Sequence, residues 1–131
     1  MKLLLDTHSL LWSLLDDEKL AGVRELIKNP SNEIYVSVAS LWEIEIKHSV
    51  HPETMPYSSE EISKVINDKA DFVVLPIEQS HITSLGEIIN QGIHKDPFDH
   101  LLLAIAKANN MVLLTHDDKI NQYHGVNILF Y

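Results

Sequence analysis

Leu3-Leu4-Leu5 near the N-terminus and Met111-Val112-Leu113-Leu114 near the C-terminus are runs without one polar side chain. A strand with one wet face alternates apolar and polar residues, so runs this continuous belong to strands buried on both faces. Such strands need helices above and below them. The first run ends in Asp6, and the second continues into Thr115-His116-Asp117.

Segments of helical spacing supply that cover. THSLLWSLL (7–15) sets Leu10, Leu11, Leu14 and Leu15 on one broad apolar face. LAGVRELIK (20–28) continues it through Leu20, Val23, Leu26 and Ile27 until Asn29-Pro30 ends it. EIYVS (33–37) reads as a strand, and a helix is expected from Ser40 through LWEIEIKHSV, closed by His51-Pro52 and Pro56. SSEEISKVINDKA opens with an S-x-x-E capping pattern and leads into the strand FVVLP. EQSHITSLGEIINQG then reads as one helix with Gly92 as its C-cap. Pro97–Ala108 is so continuously apolar that it must be buried on most sides, and MVLLT and NILFY supply two late strands. Strands alternating with helices predict an α/β fold, a parallel sheet covered on both faces. A length of 131 residues suits a single domain spanning 1–131.

In such a sheet ligands bind beyond the carboxyl ends of the strands. Asp6 and Asp117 fall at that edge, and Glu43 and Asp99 reach it if their helices begin there. Each acid also has a local explanation. Ser40-Leu41-Trp42-Glu43 fits a capping box, and Glu43 can pair with Lys47 one turn on. Asp96-Pro97-Phe98-Asp99 is a helix start, with Asp96 at the N-cap and Asp99 in the first turn. Asp117 can cap DKINQY, and Asp6 the helix beginning near His8.

Taken together the acids ask for more. A carboxylate closing a buried central strand is costly without a partner, and clustered acids repel one another unless cations neutralise them. With no cysteine in the chain, thiolate zinc sites, disulfides and cysteine nucleophiles are excluded. Carboxylate oxygens suit Mg²⁺ or Mn²⁺, which can activate a water against phosphorus. The net charge of −9 argues against a simple DNA-binding module, though two divalent cations would offset four of those charges where a phosphate must sit. Such acidity also favours a basic protein partner. The apolar stretches fall far short of the roughly 20 residues that span a bilayer, and the N-terminus reads as a strand rather than a signal peptide, so a cytoplasmic protein without membrane attachment is expected.

LLLDTHSLLW (3–12), SVASLWEIEIK (37–47), HKDPFDHLLLAIAKA (94–108) and LLTHD (113–117) stand in an order and spacing that resemble PIN-domain ribonucleases, specifically toxins of the VapC type from type II toxin–antitoxin pairs, in the branch with an HxDPFD segment. The resemblance covers essentially the whole chain. It implies a five-stranded parallel sheet of order 3-2-1-4-5 and a Mg²⁺/Mn²⁺ site made by Asp6, Glu43, Asp99 and Asp117, with Thr7 and Thr115 as hydroxyl supports. It also implies a metal-dependent endoribonuclease acting on RNA, a homodimer, and inhibition by a small antitoxin whose C-terminal segment crosses the active-site groove. That branch commonly has arginine where this chain has His100, which is expected to face solvent; His94 is expected to serve loop hydrogen bonding.

Competing readings are a PIN nuclease of RNA processing or DNA cleavage, and a non-catalytic interaction domain in which the acids are only caps. A haloacid-dehalogenase phosphatase would want an aspartate where His8 stands, and a response-regulator receiver would want one closing FVVLP.

Overall fold

The computed structural model describes all residues 1–131. Five parallel strands, β1 (Lys2–Leu5), β2 (Glu33–Ser37), β3 (Phe72–Leu75), β4 (Val112–Thr115) and β5 (Asn127–Phe130), form one sheet in the order β3-β2-β1-β4-β5. This is the order the resemblance implied. The central strand β1 pairs Leu3 with Ile34 on one side and Leu4 with Leu113 on the other.

Two cores lie on the two faces, and alternate residues of a strand serve them in turn. Leu3 and Leu5 join Ile34, Val36 and Leu114 in one core, while Leu4 joins Leu113 in the other. That division is why the central runs contain no polar residue. Truncating any of these fully buried leucines to Ala should cost about 2–5 kcal/mol.

The first face is covered by α1 (Thr7–Leu15), α2 (Arg24–Lys28), α3 (Val38–Val50) and α4 (Ser59–Lys69); α1, α3 and α4 contribute Leu10, Leu11, Ile44, Ile62 and Ile66, and α2 packs Leu26 and Ile27 against them. On the second face lie α5 (Gln79–Thr83), α6 (Leu85–Ile89) and α7 (Pro97–Ala108). Every residue from His100 to Ala106 is buried, so α7 is a core helix nearly all round. Ser58 and Glu61 form the expected capping box at α4, whereas α6 ends at its C-cap Asn90 rather than at Gly92, which takes φ 67° two residues further on.

Two expected helices are interrupted. The segment from Leu20 to Lys28 is split between a 3-10 turn, Glu18–Leu20, and the short α2. EQSHITSLGEIINQG breaks at Ser84, where the hydroxyls of Thr83 and Ser84 both donate to the Ser80 carbonyl. Such back-bonding competes with the helical ladder and bends or ends it. No helix is long and apolar enough to cross a membrane.

Candidate functional site

Asp6 follows β1 directly and caps α1. Its Oδ1 accepts the Ser9 N–H at 2.8 Å, while Oδ2 accepts the Thr115 hydroxyl at 2.6 Å. These bonds compensate a side chain only 4 % exposed. Thr115 ends the neighbouring strand β4, and its oxygen also accepts the N–H of Asp117 at 3.0 Å. Asp117 turns one carboxylate oxygen back to the Lys119 N–H at 2.8 Å, a local turn of the kind aspartate favours. Behind Asp6, Ser9 Oγ lies 2.6 Å from the Tyr131 hydroxyl, whose pKa burial pushes up to about 12.

Glu43 reaches the same edge from α3, but not as a cap. The helix starts at Val38 with Ser37 as its N-cap, so Glu43 falls in the second turn and the capping box expected from Ser40 is absent. Ser37 closes β2, and its hydroxyl captures the Ala39 N–H without any intervening loop. Buried Glu43 instead accepts the Thr7 hydroxyl at 2.6 Å on Oε1 and pairs with Lys47 at 2.8 Å on Oε2. The Lys47 pairing is the one anticipated; with lysine half exposed it is worth at most about 1 kcal/mol.

Asp99 sits in the first turn of α7 below its cap Asp96, as the sequence suggested. Its Oδ2 meets His94 Nε2 at 2.9 Å. Burial raises the Asp99 carboxyl from 3.8 to about 6; the His94 hydrogen bond pulls it down, and Asp96 and Glu43 push it further up. The felt charge of Glu43 puts both acids in one electrostatic neighbourhood. His100 does not face solvent. It is 6 % exposed, with Nε2 at 2.8 Å from the His94 carbonyl and 3.0 Å from the Tyr123 hydroxyl. A helix buried nearly all round leaves no wet side for it.

Asp6 and Asp117 line an open cleft of about 500 Å³ with His8, Trp12, Lys19, His116 and Asp118. Glu43 is tied to the residue beside Asp6 through Thr7, and Asp99 lies next to Glu43 electrostatically. Hydrogen bonds thus bring Asp6, Thr7, Glu43, Thr115 and Asp117 to one edge of the sheet, whereas Glu43 and Asp99 do not line the cleft and Asp99 joins the others only through the charge of Glu43. No three Asp, Glu or His side chains converge closely enough to enclose an ion. In chemistry, however, the donors fit a hard cation. Each Asp6 oxygen accepts one protein hydrogen bond and keeps a lone pair, and the raised Asp99 pKa marks a carboxylate whose charge is under-compensated.

Sequence reasoning did not find Ser9, Tyr131 or the hold of His94 on Asp99. Ser9 holds Asp6 locally, through the backbone N–H of the expected helix cap, but its contact with Tyr131 has a long sequence separation, which no local pattern signals. The five-residue spacing from His94 to Asp99 across a helix cap was the one available sign.

The PIN domain family matches residues 3–126. Comparison with curated proteins found no match. Among solved structures, VapBC2 from Rickettsia felis bound to a promoter DNA fragment is 18 % identical over 99 % of this chain and 98 % of its own, with a TM-score of 0.72. VapBC-1 from nontypeable Haemophilus influenzae is 18 % identical with the same coverage and a TM-score of 0.71. DNA-bound VapBC from Salmonella typhimurium is 19 % identical, again with that coverage, at a TM-score of 0.70. Since the family match spans nearly the whole chain and the sheet has the expected strand order, the chain belongs to the PIN domain family.

Proposed function

We propose that this protein is a metal-dependent endoribonuclease and the toxin of a toxin–antitoxin pair. Family membership and the likeness to VapBC structures support a nuclease toxin in general terms. One observation carries the specific reading: Thr115 ties Asp6 to Asp117 and Thr7 ties Glu43 beside Asp6, while Asp99, at the start of α7, feels the charge of Glu43.

Asp6, Glu43, Asp99 and Asp117 would hold Mg²⁺ or Mn²⁺, which when bound lowers the pKa of a water and neutralises charge at a scissile phosphate. Thr115 fixes Asp6 and the Asp117 backbone together, and Thr7 fixes Glu43. Lys47 offsets the second Glu43 oxygen. Beside the acids, Trp12 stacks on His8 at 5.5 Å and meets the edge of His116 at 5.6 Å. This aromatic wall suits the unstacked bases of single-stranded RNA, and Lys19, 5.0 Å above the Trp12 ring, suits a phosphate.

The chain's net charge of −9 suits an antitoxin rich in arginine or lysine. Val38, Trp42, Ile46 and Val50 form an exposed apolar stripe along α3, available to a second copy in a homodimer. The test is cleavage of single-stranded RNA by purified protein with Mg²⁺ or Mn²⁺, with Asp6→Asn as control. Cation-dependent cleavage absent from the control supports the reading; no cation binding by calorimetry rejects it and leaves a non-catalytic domain.

A further inference from the structure

We propose that His94 is a positioning residue for Asp99, anchoring one carboxylate oxygen so that the other faces the site, with its own tautomer set by Tyr123 and His100. This rests on the reading of Asp99 as a cation ligand given above. Of the four acids, Asp99 alone has no backbone N–H or hydroxyl holding its carboxylate: Asp6 has Ser9 and Thr115, Glu43 has Thr7, and Asp117 has Lys119. His94 is its only protein partner, at 2.9 Å, with both side chains mostly buried. Asp99 Oδ1 receives no protein donor and is not enclosed.

The proton positions follow from one group that cannot change role, the His94 carbonyl, and from the shorter of the contacts open to the Tyr123 hydroxyl. The His94 carbonyl only accepts, so His100 Nε2, 2.8 Å away, carries hydrogen and shares it with the Tyr123 oxygen at 3.0 Å. That oxygen is then an acceptor; its own hydrogen has two acceptors in reach, His94 Nδ1 at 2.8 Å and the His94 carbonyl at 3.5 Å, and the shorter contact is to Nδ1. A neutral His94 so engaged keeps its proton on Nε2, facing the carboxylate. The three rings pack edge to face at 5.3, 5.5 and 6.0 Å, which fixes them mutually. A carboxylate held on one oxygen presents the other in a constant direction, as partners behind metal ligands commonly ensure.

Three variants of His94 test this, with Mn²⁺ affinity read by electron paramagnetic resonance and imidazole tautomers by ¹⁵N NMR of the metal-free protein. His94→Leu should stay folded by circular dichroism and weaken Mn²⁺ binding by about 10–100-fold, with cleavage lowered in kcat more than in KM. His94→Gln, whose amide nitrogen can replace Nε2, should restore binding to within a few-fold; His94→Asn, which falls short of Asp99, should not. Tyr123→Phe should leave His94 in mixed tautomers. Wild-type Mn²⁺ affinity in His94→Leu, better rescue by Asn than by Gln, or a wild-type proton on Nδ1 alone would overturn the proposal. If the wild type binds no Mn²⁺, the cation-site reading fails instead, and the tautomer measurement still decides whether His94 donates to Asp99.

Discussion

Thr115 donates its hydroxyl to Asp6 Oδ2 at 2.6 Å across the pairing of β4 with β1, while the same oxygen accepts the Asp117 N–H at 3.0 Å. One side chain thus aligns the acid at the end of the central strand with the loop bearing the next acid. The parallel register puts Leu5 opposite Leu114, so Asp6 and Thr115 are the first residues beyond that pair.

Replacing Thr115 with valine keeps the shape and removes the hydroxyl. Asp6 Oδ2 loses its donor and the Asp117 N–H its acceptor, which should destabilise the protein by about 1–3 kcal/mol. RNA cleavage should fall in Thr115→Val and largely survive in Thr115→Ser. Denaturant unfolding and a cleavage assay measure the two effects, and wild-type values for both in the valine variant would contradict the coupling.

Asparagine caps a helix about as well as aspartate but has a single acceptor oxygen, so Asp6→Asn keeps the Ser9 bond, loses the one from Thr115, and should cost about 1–3 kcal/mol. The loss of a charged oxygen should reduce cleavage at least as much as losing a partner behind a metal ligand does, about 10–100-fold. Thermal unfolding and cleavage on one preparation separate the two. Full activity would remove Asp6 from the site.

Asp99 titrates higher when folded, about 6 against an ordinary 3.8, so the folded state binds its proton more tightly. Its contribution to stability is complete below about pH 4 and is lost as pH rises through about 6. The metal-free protein should therefore show a melting temperature that declines across this window, and Asp99→Asn should flatten the decline. Mn²⁺ affinity should run the other way, strengthening as Asp99 ionises. Calorimetry across pH 4.5 to pH 7.5 tests both signs.

Asp96 Oδ1 accepts the N–H groups of Phe98 and Asp99 at 2.9 and 3.2 Å. Asp96→Ala should cost about 0.5–2 kcal/mol of stability. Because that helical turn carries Asp99, cleavage should drop as well. Ser58→Ala, which removes the cap of the peripheral α4, should cost similar stability and leave cleavage unchanged. Equal activities in the two variants would separate the Asp96 cap from the site.

The order of strands and helices was legible because burial on both faces forces unbroken apolar runs, and Leu3-Leu4-Leu5 admits no other place than the middle of a sheet. The Asp96 cap was legible for a local reason: aspartate, proline and a first-turn acid need only a few residues of chain to act. Strand ends could be placed too, and with them Asp6 and Asp117. Tertiary structure alone decided what each acid touches. Glu43 looked like a cap because Ser40 stands three residues before it, yet Ser37 closes β2 and starts α3 a turn early, leaving Glu43 to Thr7. His100 looked like a surface residue because polar side chains usually are, yet the packing of α7 buries it against His94 and Tyr123. Local pattern fixes which elements form; which side chains meet depends on distances across the sheet that no short stretch of sequence encodes.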